Sequence, residues 1–285
     1  MSRCYTSTSA CLIPAFNDDY SLFLCLQSVA PYFDEIWIND DGSFDNTDKV
    51  IQWALMKFKN VRANKMSTQV GWVNSIEWLF SNTNARHIFR IDADDVLYPS
   101  AARDIKRIMQ DKYSCVLFGL QESWGDFHHS RRGLEIYHDP THLYIDREKC
   151  EIKWLRGPAP TFWPVAQTSA RKQYWPKATF FHMPGVKSDE RCVLRTMISK
   201  WEADGKPCSL FEWPRYNQVS SNAVHYEALR WLLFHNGKHR KLTHIPDIFI
   251  PKICLENERF EFITDKGGNI VDRRDHGWLS VFQNS

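Results

Sequence analysis

No Cys-x-x-Cys occurs in this sequence. Its eight cysteines stand singly at Cys4, Cys11, Cys25, Cys115, Cys150, Cys192, Cys208 and Cys254. That spacing excludes a zinc ribbon and points to reduced, structural thiols. Long hydrophobic runs are missing too: none approaches the roughly 18 residues that a membrane-spanning helix needs. The first residues, Met1-Ser2-Arg3-Cys4-Tyr5-Thr6, are polar and lack the apolar middle of a signal peptide, so cytosolic residence is expected. Charge of one sign is not in excess. Lys and Arg number 36 against 34 Asp and Glu, a net charge of +2, which gives no electrostatic mandate for nucleic acid or membrane surfaces. Internal repeats and low-complexity segments are absent. What is present is globular: 285 residues, 43% hydrophobic and 25% charged, enough for one large domain or one and a half. Twelve tryptophans are many, and Trp serves both as core filler and as a platform for sugar faces or bases.

Read in order, apolar strands alternate with helical patterns. Cys11–Phe16 is a buried strand ended by Asn17-Asp18-Asp19, and Tyr20–Ala30 carries helical spacing. Glu35–Asn39 is a second strand, ending in Asp40-Asp41-Gly42-Ser43, and Asn46-Thr47 opens a helix to about Phe58. Asn60–Ala63 is a third strand and Val70–Phe80 a helix. His87–Ile91 is a fourth strand, Ser100–Gln110 a helix and Cys115–Gly119 a further strand. This alternation implies an α/β, Rossmann-like, doubly wound and mostly parallel sheet, whose ligands sit beyond the carboxyl ends of the strands. From Gln121 to about Lys187 the pattern is irregular, with strands expected at Thr141–Ile145 and Thr161–Val165. Helices are expected from Ser188 to Trp201 and from Ser221 to Phe234. Asp204-Gly205-Lys206-Pro207 marks a boundary between a unit of residues 1–205 and a small α+β extension of residues 206–285, for acceptor binding, packing or oligomerisation.

The chain is organised around Arg90-Ile91-Asp92-Ala93-Asp94-Asp95. A buried strand that breaks into three carboxylates conflicts with itself, because like charges repel and each is costly to bury unpaired. A divalent cation removes the conflict: oxygen ligands at a strand end hold Mg²⁺ or Mn²⁺ and leave positions for phosphate oxygens. The plain alternative is an acidic helix cap. Asp95 is expected to cap the following helix, with Pro99 in its first turn.

Four motifs resemble the family 2 glycosyltransferases of the GT-A fold. They are Ile13-Pro14-Ala15-Phe16-Asn17, Ile38-Asn39-Asp40-Asp41-Gly42-Ser43-Phe44-Asp45-Asn46-Thr47, Ile91-Asp92-Ala93-Asp94-Asp95, and Ser188-Asp189 with Arg195 six residues on. The fourth departs from the family's Glu-Asp-x-x-Leu-x-x-Arg box, with Ser188 for the Glu and Cys192 for the Leu. The resemblance spans roughly residues 10–200.

It implies a metal-dependent, inverting transferase that moves a sugar from a nucleotide-diphosphate sugar, a UDP-sugar first of all, to an acceptor hydroxyl. Ala15 and Phe16 would lie along the donor, Phe16 on the base face. Asp41 would accept from the uracil N3–H, its alternative being an Asx-turn into Gly42. Asn64 and Lys65, following the third strand, are candidates to touch base or phosphate, the alternative being a solvated loop. Asp92 and Asp94 would hold Mn²⁺ or Mg²⁺ on the diphosphate. Asp189 would be the general base, its alternative a helix cap. Trp154, Arg156 and Trp163 are candidates for the acceptor wall, the alternative being aromatic core. His225 is a candidate third metal ligand. His138 and His142 are four apart, but Asp139-Pro140 between them excludes a helix and with it a zinc pair on one helical face. The acceptor class stays open among glycan, protein, lipid-linked sugar and modified nucleic acid. Two other readings compete. A sugar nucleotidyltransferase would need a Gly-x-Gly-Thr-Arg loop where Phe16-Asn17-Asp18-Asp19 stands. The other is a non-catalytic binder on a degenerate transferase scaffold.

Overall fold

The computed structural model describes residues 4–68, 70–111, 113–123, 129–130, 135–155, 161–166, 172–183, 240–241, 260–264 and 270–275. The first half alternates as the sequence predicts. Strand β1 (Ser7–Ala15) leads to α1 (Asp19–Val29), β2 (Glu35–Asp40) to α2 (Thr47–Lys57), and β3 (Val61–Lys65) to α3 (Trp72–Asn82). Then come β4 (Ala85–Arg90), β5 (Asp95–Leu97), α4 (Ala102–Gln110), β6 (Cys115–Glu122), β7 (His129–Ser130), β8 (Tyr137–Asp146), β9 (Cys150–Leu155), β10 (Thr161–Ala166) and β11 (Lys172–His182). The short strand β12 (Arg240–Lys241) pairs with β7, and β13 (Phe260–Thr264) forms a hairpin with β14 (Ile270–Asp275).

Eight strands form the main sheet in the order β3-β2-β1-β4-β8-β6-β11-β5. The first four run parallel, β8 is antiparallel to both β4 and β6, β11 is parallel to β6, and β5 is antiparallel to β11. The sheet is thus mostly parallel, as predicted. The antiparallel insertion of β8 is what the strand–helix alternation did not show.

Two apolar layers cover the sheet. Cys11, Ile13, Ile38 and Phe89 point to one side, where Phe23, Leu26, Val50 and Ala54 of α1 and α2 close over them. Ala10, Leu12 and Ile88 point to the other, against Ile76, Leu79 and Phe80 of α3. Successive β1 residues therefore alternate between two cores, the period of 2 that a strand imposes. Burial on both faces is why β1 reads as one unbroken apolar run. Full burial of each such Leu, Ile or Phe stabilises by about 1.5–3 kcal/mol. Pro14 is tolerated in this central strand because pairing with β4 ends at Leu12.

Boundaries differ in small ways. The third strand runs on to Lys65, so Asn64 and Lys65 are in the ladder rather than after it. Pro99–Ala101 is a 3₁₀ turn and the α-helix begins at Ala102, with no side-chain cap. The predicted helices at 188–201 and 221–234 and the boundary at 204–207 lie outside the described residues. No helix among the described residues is long and apolar enough to cross a membrane.

Candidate active site

The carboxyl ends of β1, β2 and β4 lie side by side, and polar loops leave each of them. The loops after β1 and β2 are tied together. The Asn17 N–H donates to Ser43 Oγ (2.7 Å), and Asn17 Oδ1 accepts the Phe44 N–H (2.9 Å). Asp18 N–H donates to Thr47 Oγ1 (2.9 Å). Asn17 adopts a left-handed backbone (φ 53°), which Asn tolerates better than most side chains. At the mouth, half-buried Phe16 meets Phe44 edge-on, with centroids 6.0 Å apart, and Phe44 is 61% exposed. The two rings offer an apolar surface beside the acidic strand ends.

Asp41 is buried and reaches across to the start of α3. Its two oxygens accept the N–H groups of Val70 (2.7 Å) and Gly71 (2.9 Å), while its own N–H donates to the Ala15 carbonyl (2.9 Å). The carboxylate thus sits on the positive end of a helix. The Asx-turn weighed as the alternative for Asp41 is made by its neighbour: Asp40 Oδ1 accepts the Ser43 N–H (2.8 Å). Burial, chiefly, pushes the Asp40 carboxyl above its usual range, and Ser43 and Lys65 oppose that rise. Lys65 Nζ lies 3.9 Å from Asp40 and 3.6 Å from Asp48, half-exposed at the same edge. Asn64 is engaged within the sheet, donating to Asn39 Oδ1 (2.7 Å), which in turn binds Ser75.

The turn at 92–95 is a charge network. Arg90 is fully buried. Its guanidinium pairs with Asp92 Oδ1, donates to the Thr141 carbonyl (2.9 Å) and lies over the Trp72 ring (4.9 Å). Burial alone would raise the Asp92 carboxyl, but Arg90 and then His142 outweigh it and hold the group well below the usual carboxylate range. Asp95 does not cap α4 as expected. It opens β5, and its Oδ2 accepts the Asp92 N–H (2.7 Å), so the carboxylate closes the turn from inside. The cap reading failed because the chain enters a strand before it enters a helix.

Two histidines complete the network, and sequence spacing singled out neither as a ligand. Arg90 pairs with Leu143 across the β4–β8 ladder, which brings His142 against the turn. His182 pairs with Asp95 across β11–β5. His142 Nε2 lies 2.9 Å from Asp95 Oδ2 and 3.3 Å from Asp92 Oδ2. His182 Nδ1 lies 2.8 Å from Asp95 Oδ1 and 3.6 Å from Asp94 Oδ1. Desolvation would lower both imidazoles. The facing aspartates, Asp95 and Asp92 for His142, and Asp94 with Asp95 for His182, instead raise both above the ordinary histidine value. No signal within β8 or β11 announces this, because only strand register creates it. His138, the other member of the dismissed pair, turns to the Trp175 carbonyl (2.7 Å).

The residue set fits a divalent cation. Ligand atoms of Asp95, His142 and His182 all lie within 4.8 Å of one another, and the buried Asp94 carboxylate stands beside His182. Asp92 is brought to the expected place, one-fifth exposed, with one oxygen held by Arg90.

Ala15, Phe16, Asp41, Asn64, Lys65, Asp92 and Asp94 therefore share one sheet edge. Trp154 does not join them. Its indole packs edge-on against Phe80 (5.8 Å), more than two turns along α3 from Gly71, in the second core. Trp163 lies in β10, its side chain outside the description. Arg156, Asp189 and His225 lie outside the described residues.

A parallel sheet whose strand ends gather acidic and aromatic side chains offers a ligand crevice at its carboxyl edge. The family model of glycosyl transferase family 2 matches residues 10–179, from β1 nearly to the end of β11. The chain belongs to this family, has the GT-A fold and is a glycosyltransferase. Similar solved structures include S. aureus TarS residues 1–349, with 13% identity, 78% of this chain and 80% of that chain covered, and a TM-score of 0.45. A mannosyltransferase, PcManGT from Pyrobaculum calidifontis, solved with GDP-Man and Mn²⁺, has 11% identity, coverage of 81% and 71%, and a TM-score of 0.43. Glucosyl-3-phosphoglycerate synthase from Mycobacterium tuberculosis, solved with Mn²⁺, UDP and glucosyl-3-phosphoglycerate, has 15% identity, coverage of 50% and 58%, and a TM-score of 0.37. No curated protein matches.

Proposed function

We propose that this glycosyltransferase takes its sugar from a UDP-sugar and passes it to an acceptor hydroxyl with inversion, in a cation-dependent reaction. The observation that carries the reading is the convergence of Phe16, Asp41 and the 92–95 carboxylates on one sheet edge in a chain of this family. Phe16 and Phe44 supply an apolar face for a base. Asp41 keeps lone pairs beyond its two backbone bonds, and a carboxylate accepts from the uracil N3–H, a hydrogen that cytosine lacks. Lys65 adds positive charge at the edge where phosphates would lie.

Asp94, with Asp92 in the same turn, would hold Mn²⁺ or Mg²⁺ on the diphosphate. Bound there, the cation would act as a Lewis acid, offsetting charge on the departing diphosphate. Arg90 keeps Asp92 in its place, and the Asp95 carboxylate closes the turn. Asp189, at the start of a predicted helix, would take the proton from the acceptor hydroxyl as its oxygen bonds to the anomeric carbon. The bond to the diphosphate breaks on the opposite face, and UDP leaves with that electron pair.

The test is UDP release from a panel of UDP-sugars with Mn²⁺, comparing wild type with Asp94→Ala. Release by wild type, falling at least about 100-fold in the variant, is the expected result. Release of pyrophosphate from UTP and a sugar phosphate, with no UDP released from any UDP-sugar, would overturn the reading.

A further inference from the structure

Asp95 lies one residue beyond the carboxylate pair that, in the proposed reaction, would face a diphosphate. It is fully buried and is the hub of the network, with an imidazole on each oxygen: His142 Nε2 at 2.9 Å from Oδ2 and His182 Nδ1 at 2.8 Å from Oδ1. All three side chains are more than nine-tenths buried. They come from β5, β8 and β11, elements linked through the sheet rather than through a loop, so the trio is built into the scaffold.

One detail separates this cluster from a simple buried ion-pair network. His142 Nε2 is buried and makes no hydrogen bond among the described residues, although two carboxylate oxygens lie within 3.3 Å of it. The oxygens lie off the directions in which the ring nitrogen bonds. A buried ring nitrogen beside two carboxylate oxygens and without a hydrogen bond is a donor that an ion would engage. We propose that Asp95, His142 and His182 form a site for a divalent transition-metal ion, occupied without nucleotide and distinct from the position at Asp94 that faces the diphosphate.

The donor chemistry selects the ion. Two imidazoles and one carboxylate suit Mn²⁺, Fe²⁺, Co²⁺ or Zn²⁺. Mg²⁺ and Ca²⁺ prefer all-oxygen sets. Metal–ligand bonds of about 2.0–2.2 Å place ligand atoms roughly 3–4 Å apart, so a set spread over no more than 4.8 Å needs only a small contraction. An ion here would fix the 92–95 turn from beneath, whatever binds above it.

The experiment uses metal alone. The full-length protein, stripped with EDTA and given one equivalent of Mn²⁺ without nucleotide, is examined by pulsed electron paramagnetic resonance for ¹⁴N couplings from directly bound imidazole. The proposal expects such couplings in wild type, unchanged by excess Mg²⁺. It expects Mn²⁺ affinity at least about ten-fold weaker in His182→Gln. Bound Mn²⁺ without imidazole couplings, or no uptake before nucleotide is added, would overturn it. The wild-type spectrum decides even if the variant fails to fold. Because no sugar nucleotide is present, a negative result leaves the transferase reading standing, and loss of UDP release leaves this site standing.

Discussion

Replacing Arg90 with methionine removes the only fully buried guanidinium among the described residues. Three interactions go with it: the charge-assisted pair with Asp92, the bond to the Thr141 carbonyl and the face of Trp72. A hydrogen bond to a charged group contributes about 1.5–3 kcal/mol. The cation–π contact adds about 1 kcal/mol. Stranding a carboxylate that has lost its buried partner brings the total to about 3–5 kcal/mol. Asp92 is one-fifth exposed and keeps His142 at 3.3 Å, which favours the lower end of that range. With a urea slope near about 3 kcal/mol per molar, the unfolding midpoint should fall by about 1 M or more.

The double variant Arg90→Met with Asp92→Asn sharpens the test. If most of the loss comes from the stranded carboxylate, neutralising it should recover about 2 kcal/mol relative to the sum of the single variants. Additivity within about 0.5 kcal/mol would refute the claim that Arg90 exists to hold Asp92.

Asp189→Ala should leave UDP affinity within about two-fold of wild type while sugar transfer falls by about 10²–10⁴-fold, read by calorimetry and product formation. Lost UDP affinity would contradict its role on the acceptor side. Asp146 is buried and receives Arg86 (3.0 Å) and Lys149 (2.9 Å); burial would raise its carboxyl, but these partners outweigh it and depress the group. Its folded value being lower than the unfolded one of about 3.9, the stabilisation is full above that value and is lost as pH falls through it toward the folded value. Urea stability measured from pH 6 to 3 should therefore fall less steeply in Asp146→Asn than in wild type. Gly119→Ala should destabilise by about 1–3 kcal/mol, because an added Cβ would meet the Lys177 carbonyl oxygen and stand 2.9 Å from Ile136 Cγ2, where β6 changes register with both neighbours. A midpoint unchanged in thermal denaturation would show that the bulge yields freely.

The first half of the fold was legible because its physics is local. Apolar runs of four to six residues, helical spacing and polar breaks located β1 to β4, and the breaks themselves named Phe16, Asp41 and Asp92–Asp95. What was not legible is pairing between distant strands. His142 and His182 lie 47 and 87 residues beyond Asp95, and nothing near either one records that β8 runs antiparallel to β4 or that β11 returns beside β5. The same blindness misread Asp95, whose partners are those histidines and not a helix end. Asp41, weighed between a base contact and an Asx-turn, reaches residues 29 and 30 positions away, which local spacing does not show. Trp154 carried stacking chemistry in its side chain, but the sheet assigns it to the core against Phe80.

The central claim is that the 92–95 carboxylates bind a cation that in turn holds a nucleotide diphosphate at this sheet edge. Titration of UDP by calorimetry, with Mn²⁺ and with EDTA, in wild type and in Asp94→Ala, tests it most directly. Tight binding is expected only for wild type with Mn²⁺, weaker by at least about ten-fold when either the ion or the carboxylate is removed. Equal UDP affinity under all four conditions would contradict it.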